Sequence, residues 1–231
     1  MRPCSSLDPD ALLEGTNVSM FFSIFSNALV GASVPGTLTK IRKNSSKIAN
    51  NASPDELTGC LLATLAASKP AGQMLELGTG TGVSASWLLS GMDAQSSLHS
   101  VELDNELAEF AQQELANDKR FSRIVSDAAQ YFETIPSGYF DLIFAANCPD
   151  KPIHLNLAVR GLKPGGFYIL DNLLPQANRL DAHNAKLPGL LTSLMGNPEL
   201  IILPLDWSTG VVIAVKIPSV CNPTVNLTKA Q

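Results

Sequence analysis

No pair of cysteines stands at metal or redox spacing. Cys4, Cys60, Cys148 and Cys221 are scattered, without a CxxC and without a histidine placed to complete a zinc site, so free thiols in a reducing compartment are expected. Basic charge is also scarce. Sixteen Lys and Arg against 21 Asp and Glu leave a net charge of -5, which argues against the cationic surface that neutralises nucleic-acid phosphates. The one basic cluster, Lys40, Arg42, Lys43 and Lys47, reads as a solvated helix face or loop. No apolar run is long enough to cross a membrane: Met20 to Val34 is broken by Ser23, Ser26 and Asn27 and falls short of the ~20 residues required. The opening Met1-Arg2-Pro3-Cys4, followed by Asp8, Asp10 and Glu14, is too acidic for a secretory signal. The expectation is a cytoplasmic protein with neither nucleic acid nor membrane as its partner. There is no GxxxxGK[ST] phosphate loop either, which excludes the usual ATP and GTP hydrolases.

What is present is apolar and patterned. A chain of 231 residues with 45% hydrophobic composition suits one large domain. Up to about residue 72 the pattern is helical. Met20, Phe21, Ile24, Phe25, Ala28 and Leu29 share one helical face. That face is a candidate to pack on the rest of the chain or on a second copy in a homodimer. Ser53-Pro54-Asp55-Glu56 supplies an N-cap, a proline at the first helical position and early acids ahead of Leu57, Leu61, Leu62 and Leu65. Between them, Gly31 to Asn51 is rich in Gly, Ser, Asn and Lys and is expected to be exposed and mobile.

From residue 73 strands and helices alternate. Met74–Leu77, Leu98–Glu102, Arg123–Ser126, Phe140–Ala145 and Gly166–Leu170 read as strands, with helices such as Ser84–Ser90 and Asn105–Ala116 between them. Short connections of this kind predict an α/β fold, a doubly wound and mostly parallel sheet with helices on both faces. Leu200–Leu203 and Val211–Val215 are too close for a crossover helix and predict an antiparallel hairpin. Residues 1–72 are thus a helical extension of the same domain, 73–218 the sheet domain, and 219–231 a tail.

The chemistry gathers at strand ends. Glu76-Leu77-Gly78-Thr79-Gly80-Thr81-Gly82 joins the first strand to its helix, where ligands bind in doubly wound sheets. Glycines let the backbone approach a ligand that a Cβ would block, and the helix N-terminus beyond favours a carboxylate. The spacing is GxGxG rather than the dinucleotide GxGxxG. Glu102 ends the second strand, where an acid receives ribose hydroxyls, and Asp127 follows the third, within reach of an adenine amino group. Each acid alone reads equally as a helix cap or surface charge; together they point to an adenosine-containing cofactor.

LELGTGTG, SVELD, the Asp127 strand end, FDLIF and LKPGGFYILDN resemble the successive motifs of class I S-adenosylmethionine-dependent methyltransferases. The likeness is to the O-methyltransferase branch that includes the catechol and caffeoyl-CoA enzymes. It covers about Ser53 to Lys216 and is strongest from Met74 to Asn172. Asp206-Trp207-Ser208-Thr209-Gly210-Val211-Val212 is similar to a bacterial subgroup of predicted O-methyltransferases. The resemblance implies a seven-stranded sheet with its last strand antiparallel. It also implies S-adenosylmethionine as cofactor. Glu76, Gly78, Thr79, Gly80, Gly82 and Ser84 would lie along the methionine end, Glu102 at the ribose, and Asp127 with Ala128 at the adenine.

In metal-dependent relatives Mg²⁺ is held by an Asp after the fourth strand and an Asp-Asn pair after the fifth. Asp171-Asn172 keeps the pair, but Ala146 stands where the first Asp would be. Magnesium prefers several carboxylate or water oxygens in octahedral array, so the metal is expected to be weakly bound or unnecessary. Asp171-Asn172 reads equally as a turn after a strand. By the same resemblance Lys151, in Pro149-Asp150-Lys151, is the candidate base, with Asp171 and Asn172 beside it; a lysine base needs a lowered pKa. His183, in the segment between the fifth and sixth strands, is a second candidate. Tyr168 and Trp207 are expected to pack. The acceptor is expected to be a small hydroxylated molecule. The alternatives are an RNA or protein methyltransferase, and a cofactor-binding protein without catalysis.

Overall fold

The computed structural model describes residues 34–48, 54–145, 152–174 and 181–218. The Met20-to-Leu29 face, three of the four cysteines and the tail lie outside them. Helix α1 (Gly36–Asn44) is followed by a short 3-10 turn, Ser45–Lys47, and by α2 (Glu56–Ala67). The sheet domain then runs β1 (Gln73–Leu77), α3 (Val83–Gly91), β2 (Ser97–Glu102), α4 (Asn105–Leu115), β3 (Phe121–Val125), α5 (Ala128–Glu133), β4 (Phe140–Ala145), α6 (Pro152–Gly161), β5 (Leu162–Leu170), α7 (Asp181–Met195), β6 (Leu200–Leu205) and β7 (Val211–Lys216).

The seven strands lie in the order β3-β2-β1-β4-β5-β7-β6. β1 to β5 are mutually parallel, while β7 is antiparallel to both β5 and β6. The doubly wound sheet with its antiparallel end is therefore as the sequence predicts. The order reverses between β1 and β4, so a crevice opens at their carboxyl ends. Alternate residues feed two cores. Met74, Leu98, Leu142, Phe144 and Ile169 pack with α1 to α4 on one face. Leu75, Val101, Ile143, Ala145 and Tyr168 pack with α5 to α7 on the other. Tyr168 is fully buried, whereas Trp207 sits more than one-third exposed on the β6–β7 turn.

Three expectations are corrected. Residues 36–44, expected to be exposed and mobile, form a helix, because Leu38 and Ile41 lie three apart and are wholly buried. Its outer face carries Lys40, Arg42 and Lys43 of the basic cluster, with Lys40 3.2 Å from Glu114 and Arg42 2.9 Å from Glu56. Helix α2 is capped by Asp55 rather than Ser53: the Asp55 carboxylate accepts the Thr58 amide at 2.9 Å. Strand β5 is longer than expected, because the turn-like Lys163 to Gly166 stays in the strand beside a register shift between Phe140 and Leu142.

Helices α2 and α3 meet at glycines. A Cβ on Gly91 would lie 1.9 Å from the Ala63 carbonyl oxygen, and one on Gly59 would lie 2.3 Å from the Trp87 ring. The Gly91 neighbour is backbone, which cannot swing aside. Overpacking of this kind costs ~1–3 kcal/mol, so Gly91→Ala is expected to lower the urea midpoint by about that amount of stability. Gly36→Ala, with nothing within 4 Å of its Cβ position, should leave the midpoint within ~0.5 kcal/mol of wild type.

Candidate cofactor and acceptor site

The last residue of β1, Leu77, pairs with Val101 of β2 and Ala145 of β4, so the following loop rises at the crevice. The Gly78 amide donates to the Val101 carbonyl at 2.8 Å, and the chain then turns through Gly78 (φ 90°), Gly80 (φ 51°) and Gly82 (φ 87°). All three lie in the left-handed region that side chains disfavour. A Cβ on Gly80 would meet nothing within 4 Å, whereas one on Gly82 would sit 3.3 Å from both Ala111 and Leu115. Gly80 therefore answers to torsion alone and borders open space. Gly82, the N-cap of α3, also admits α4. Thr79, Thr81 and Ser84 are buried around the turn, and the Thr79 and Ser100 hydroxyls are 2.6 Å apart.

Beneath the loop lies Glu76, with no exposed surface in the middle of the sheet. Ser100, its direct partner in register on β2, donates to Oε2, and Oε1 has no hydrogen-bond partner among the described residues. Burial drives the Glu76 carboxyl up to about 7; hydrogen bonds from Ser100 and Ser84 work against that, and the Glu102 charge adds to it. Glu102 folds back on the loop: Oε2 accepts the Gly80 amide at 2.9 Å, and Oε1 accepts the Leu103 and Asp104 amides at 2.9 and 3.1 Å. Asp127 caps α5, accepting the amides of Ala129 (2.8 Å) and Gln130 (3.4 Å), with Ala128 as the first helical residue. The capping alternative for Asp127 is thus realised, and its place after β3 is retained.

At the end of β5, Asp171 and Asn172 are buried, and Asn172 is left-handed at φ 63°. Asp171 Oδ1 accepts the Asn172 amide at 2.7 Å and the Thr209 hydroxyl at 2.6 Å. Among the described residues no group of three or more His, Cys, Asp or Glu converges as a metal site. With one carboxylate here, and its Oδ1 already holding two donors, the described residues do not fit octahedral magnesium. Ala146 to Lys151 lie outside the described residues. His183 falls within helix α7, not in a loop. Sequence reading missed Ser100 and Thr209. Ser100 carries a signal, being a hydroxyl in an apolar strand on the same face as Glu102; Thr209 depends on a contact 38 residues away.

Residues 74–166 match a family model described as a methyltransferase domain. A stretch of 116 residues is 34% identical to a protein of Mycobacterium tuberculosis named "Probable O-methyltransferase", over 48% of this chain and 50% of that one. The chain thus spans about half the length of the curated relatives it matches. The O-methyltransferase TomG of Streptomyces achromogenes, solved with S-adenosylmethionine, superposes with TM-score 0.72 at 22% identity, covering 87% of this chain and 96% of that one. The O-methyltransferase of Bacillus cereus, solved with S-adenosylhomocysteine, gives TM-score 0.71 at 19% identity, covering 87% and 97%. Residues 74–166 thus match a methyltransferase domain, and by its strand order and these superpositions the chain has the fold of the solved O-methyltransferases.

Proposed function

We propose that this chain transfers a methyl group from S-adenosylmethionine to the hydroxyl of a small acceptor. The observation that carries this reading is the buried Glu76 carboxyl, one oxygen unpartnered among the described residues, directly under a left-handed glycine loop at the switch of strand order. A buried polar atom without a partner is costly. An ammonium group, such as that of the methionine end, supplies both a donor and a compensating charge. Gly78, Thr79, Gly80, Gly82 and Ser84 would line that end, and Gly80 leaves room for it. Glu102, already oriented by three amides, retains acceptor capacity for ribose hydroxyls, and Asp127 with Ala128 would flank the adenine.

When bound, the cofactor supplies a methyl carbon on a cationic sulfur. The residues of the chain have then to align the acceptor oxygen and remove its proton. The family resemblance gives the proton to Lys151 and the acceptor side to Asp171 and Asn172. A cofactor-binding protein without catalysis is the second reading, favoured by Ala146 at the position of the metal-binding Asp.

Three measurements test the proposal. Calorimetry should show micromolar binding of S-adenosylmethionine and S-adenosylhomocysteine and none of NAD; a folded protein that binds neither sulfur nucleoside sinks the reading. Lys151→Ala should lower methyl transfer by roughly 10²-fold or more with cofactor affinity unchanged, and full turnover in that variant removes the base assignment. The third concerns Glu76, whose carboxyl moves from 4.5 to about 7 on folding. Folding then favours its protonated form, so its contribution to stability is complete below about pH 4.5 and is lost as pH rises to about 7. Urea unfolding across that window should show the cofactor-free wild type losing stability relative to Glu76→Gln. S-adenosylmethionine should bind the variant more weakly at pH 8, where the wild-type carboxylate is ionised.

A further inference from the structure

The β6–β7 turn is tied to the rest of the molecule at more points than its hairpin requires. β7 pairs with β5, Val212 opposite Leu170, so the turn stands beside the segment that leaves β5. The Leu173 amide donates to the Gly210 carbonyl at 3.0 Å, and the Leu174 amide to the Thr209 carbonyl at 2.9 Å. Gly210 (φ 85°) is pressed against Leu174, whose amide nitrogen would lie 2.6 Å from an added Cβ. Ser208, a non-glycine residue at φ 58°, donates its hydroxyl to Asp55, the same carboxylate that caps α2. Thr209, between these anchors, donates its hydroxyl to Asp171 Oδ1. Two non-glycine residues in left-handed backbone, Asn172 and Ser208, therefore flank one side-chain contact. Such conformations persist where surrounding contacts over-determine them, and they gather at functional sites.

We infer that Thr209 is a positioning residue. Its hydroxyl fixes the direction of the Asp171 carboxyl at the acceptor side of the site, and the anchors from Ser208 to Asp55 and from Gly210 to Leu174 hold Thr209 in place. The inference rests on the reading of Asp171 as an acceptor-side residue given above. The geometry assigns Thr209 no contact with the reacting atoms. A threonine suits the position: it donates one hydrogen bond without adding charge, and its branched Cβ restricts χ1. The Asn172 amide shares the same carboxyl oxygen, at 2.7 Å, so releasing Asp171 should also loosen Asn172.

The test compares wild type with Thr209→Val, which keeps the shape and removes the donor, and with Thr209→Ser, which restores the donor. Thr209→Ala is made alongside in case the valine variant fails to fold. Amide exchange at Asn172 is followed by NMR, with Ile169 inside β5 as the internal reference. Exchange at Asn172 should rise roughly tenfold or more in the variants without a hydroxyl, as for a local opening, and return in Thr209→Ser. Methyl transfer to catechol should fall in kcat by roughly 10- to 100-fold, as for a misplaced reacting group, with the KM for S-adenosylmethionine unchanged and the serine variant active. Unaltered exchange at Asn172 in both Thr209→Val and Thr209→Ala, or no rescue by serine, overturns the inference. S-adenosylhomocysteine binding, measured on every variant, separates the two readings: its absence in wild type defeats the proposed function, while exchange at Asn172 still judges Thr209.

Discussion

Strand β1 is enclosed on four sides. β2 and β4 take its two edges, and helices cover both of its faces. Nothing polar on it reaches water sideways, so a carboxyl in its sequence must be satisfied inside the sheet or at the strand's open end. Glu76 is that carboxyl. Its setting organises the neighbours: Ser100 lies opposite in register, Ser84 in the first turn of α3 reaches back, and the glycine loop passes overhead. The tight turn keeps α3 close enough for Ser84 to approach, and Gly82 lets α3 and α4 lie side by side. In the proposed function, a bound cofactor compensates this one buried carboxyl, with the loop as the means of reaching it.

Local rules made much of this visible beforehand. A glycine-rich turn after a short apolar strand is legible because only glycine relieves the left-handed torsions, and the alternation of strand and helix is legible because periods differ. The misses share a cause. Asp55 and Ser53 are both competent caps by residue type, and Asp55, which takes the Thr58 amide, also receives the Ser208 hydroxyl from 153 residues away. Helix α1 hides in a polar stretch because two side chains, Leu38 and Ile41, carry its burial. The extra residues of β5 look like a turn because Gly165 and Gly166 do, yet Lys163 pairs with Asp141 at 2.6 Å within the sheet. In each case the deciding partner is distant in sequence, and composition within a window carries no trace of it.

The two ends of the site differ in how they are held. After β2 and β3 the carboxylates are set by backbone: amides of Gly80, Leu103 and Asp104 orient Glu102, and those of Ala129 and Gln130 orient Asp127. At the end of β5, Asp171 takes the Asn172 amide and, from another hairpin, the Thr209 hydroxyl. Backbone donors persist through most substitutions, whereas a side-chain hydroxyl disappears with one. The carboxylates after β2 and β3 are therefore the more robustly held, and that of Asp171 the more easily loosened.

The order of strands carries a consequence for synthesis. β6 does not touch the parallel part of the sheet; β7, which follows it in the chain, fills the place between β6 and β5. While residues 211–216 are still within the ribosome, β6 has no strand beside it, and Ile201 and Leu203, largely exposed even in the folded chain, stand on an unpaired apolar ribbon. Incomplete sheets with open edges are prone to associate. The nascent chain thus passes through a stage in which an apolar edge strand is finished and the strand that anchors it is not.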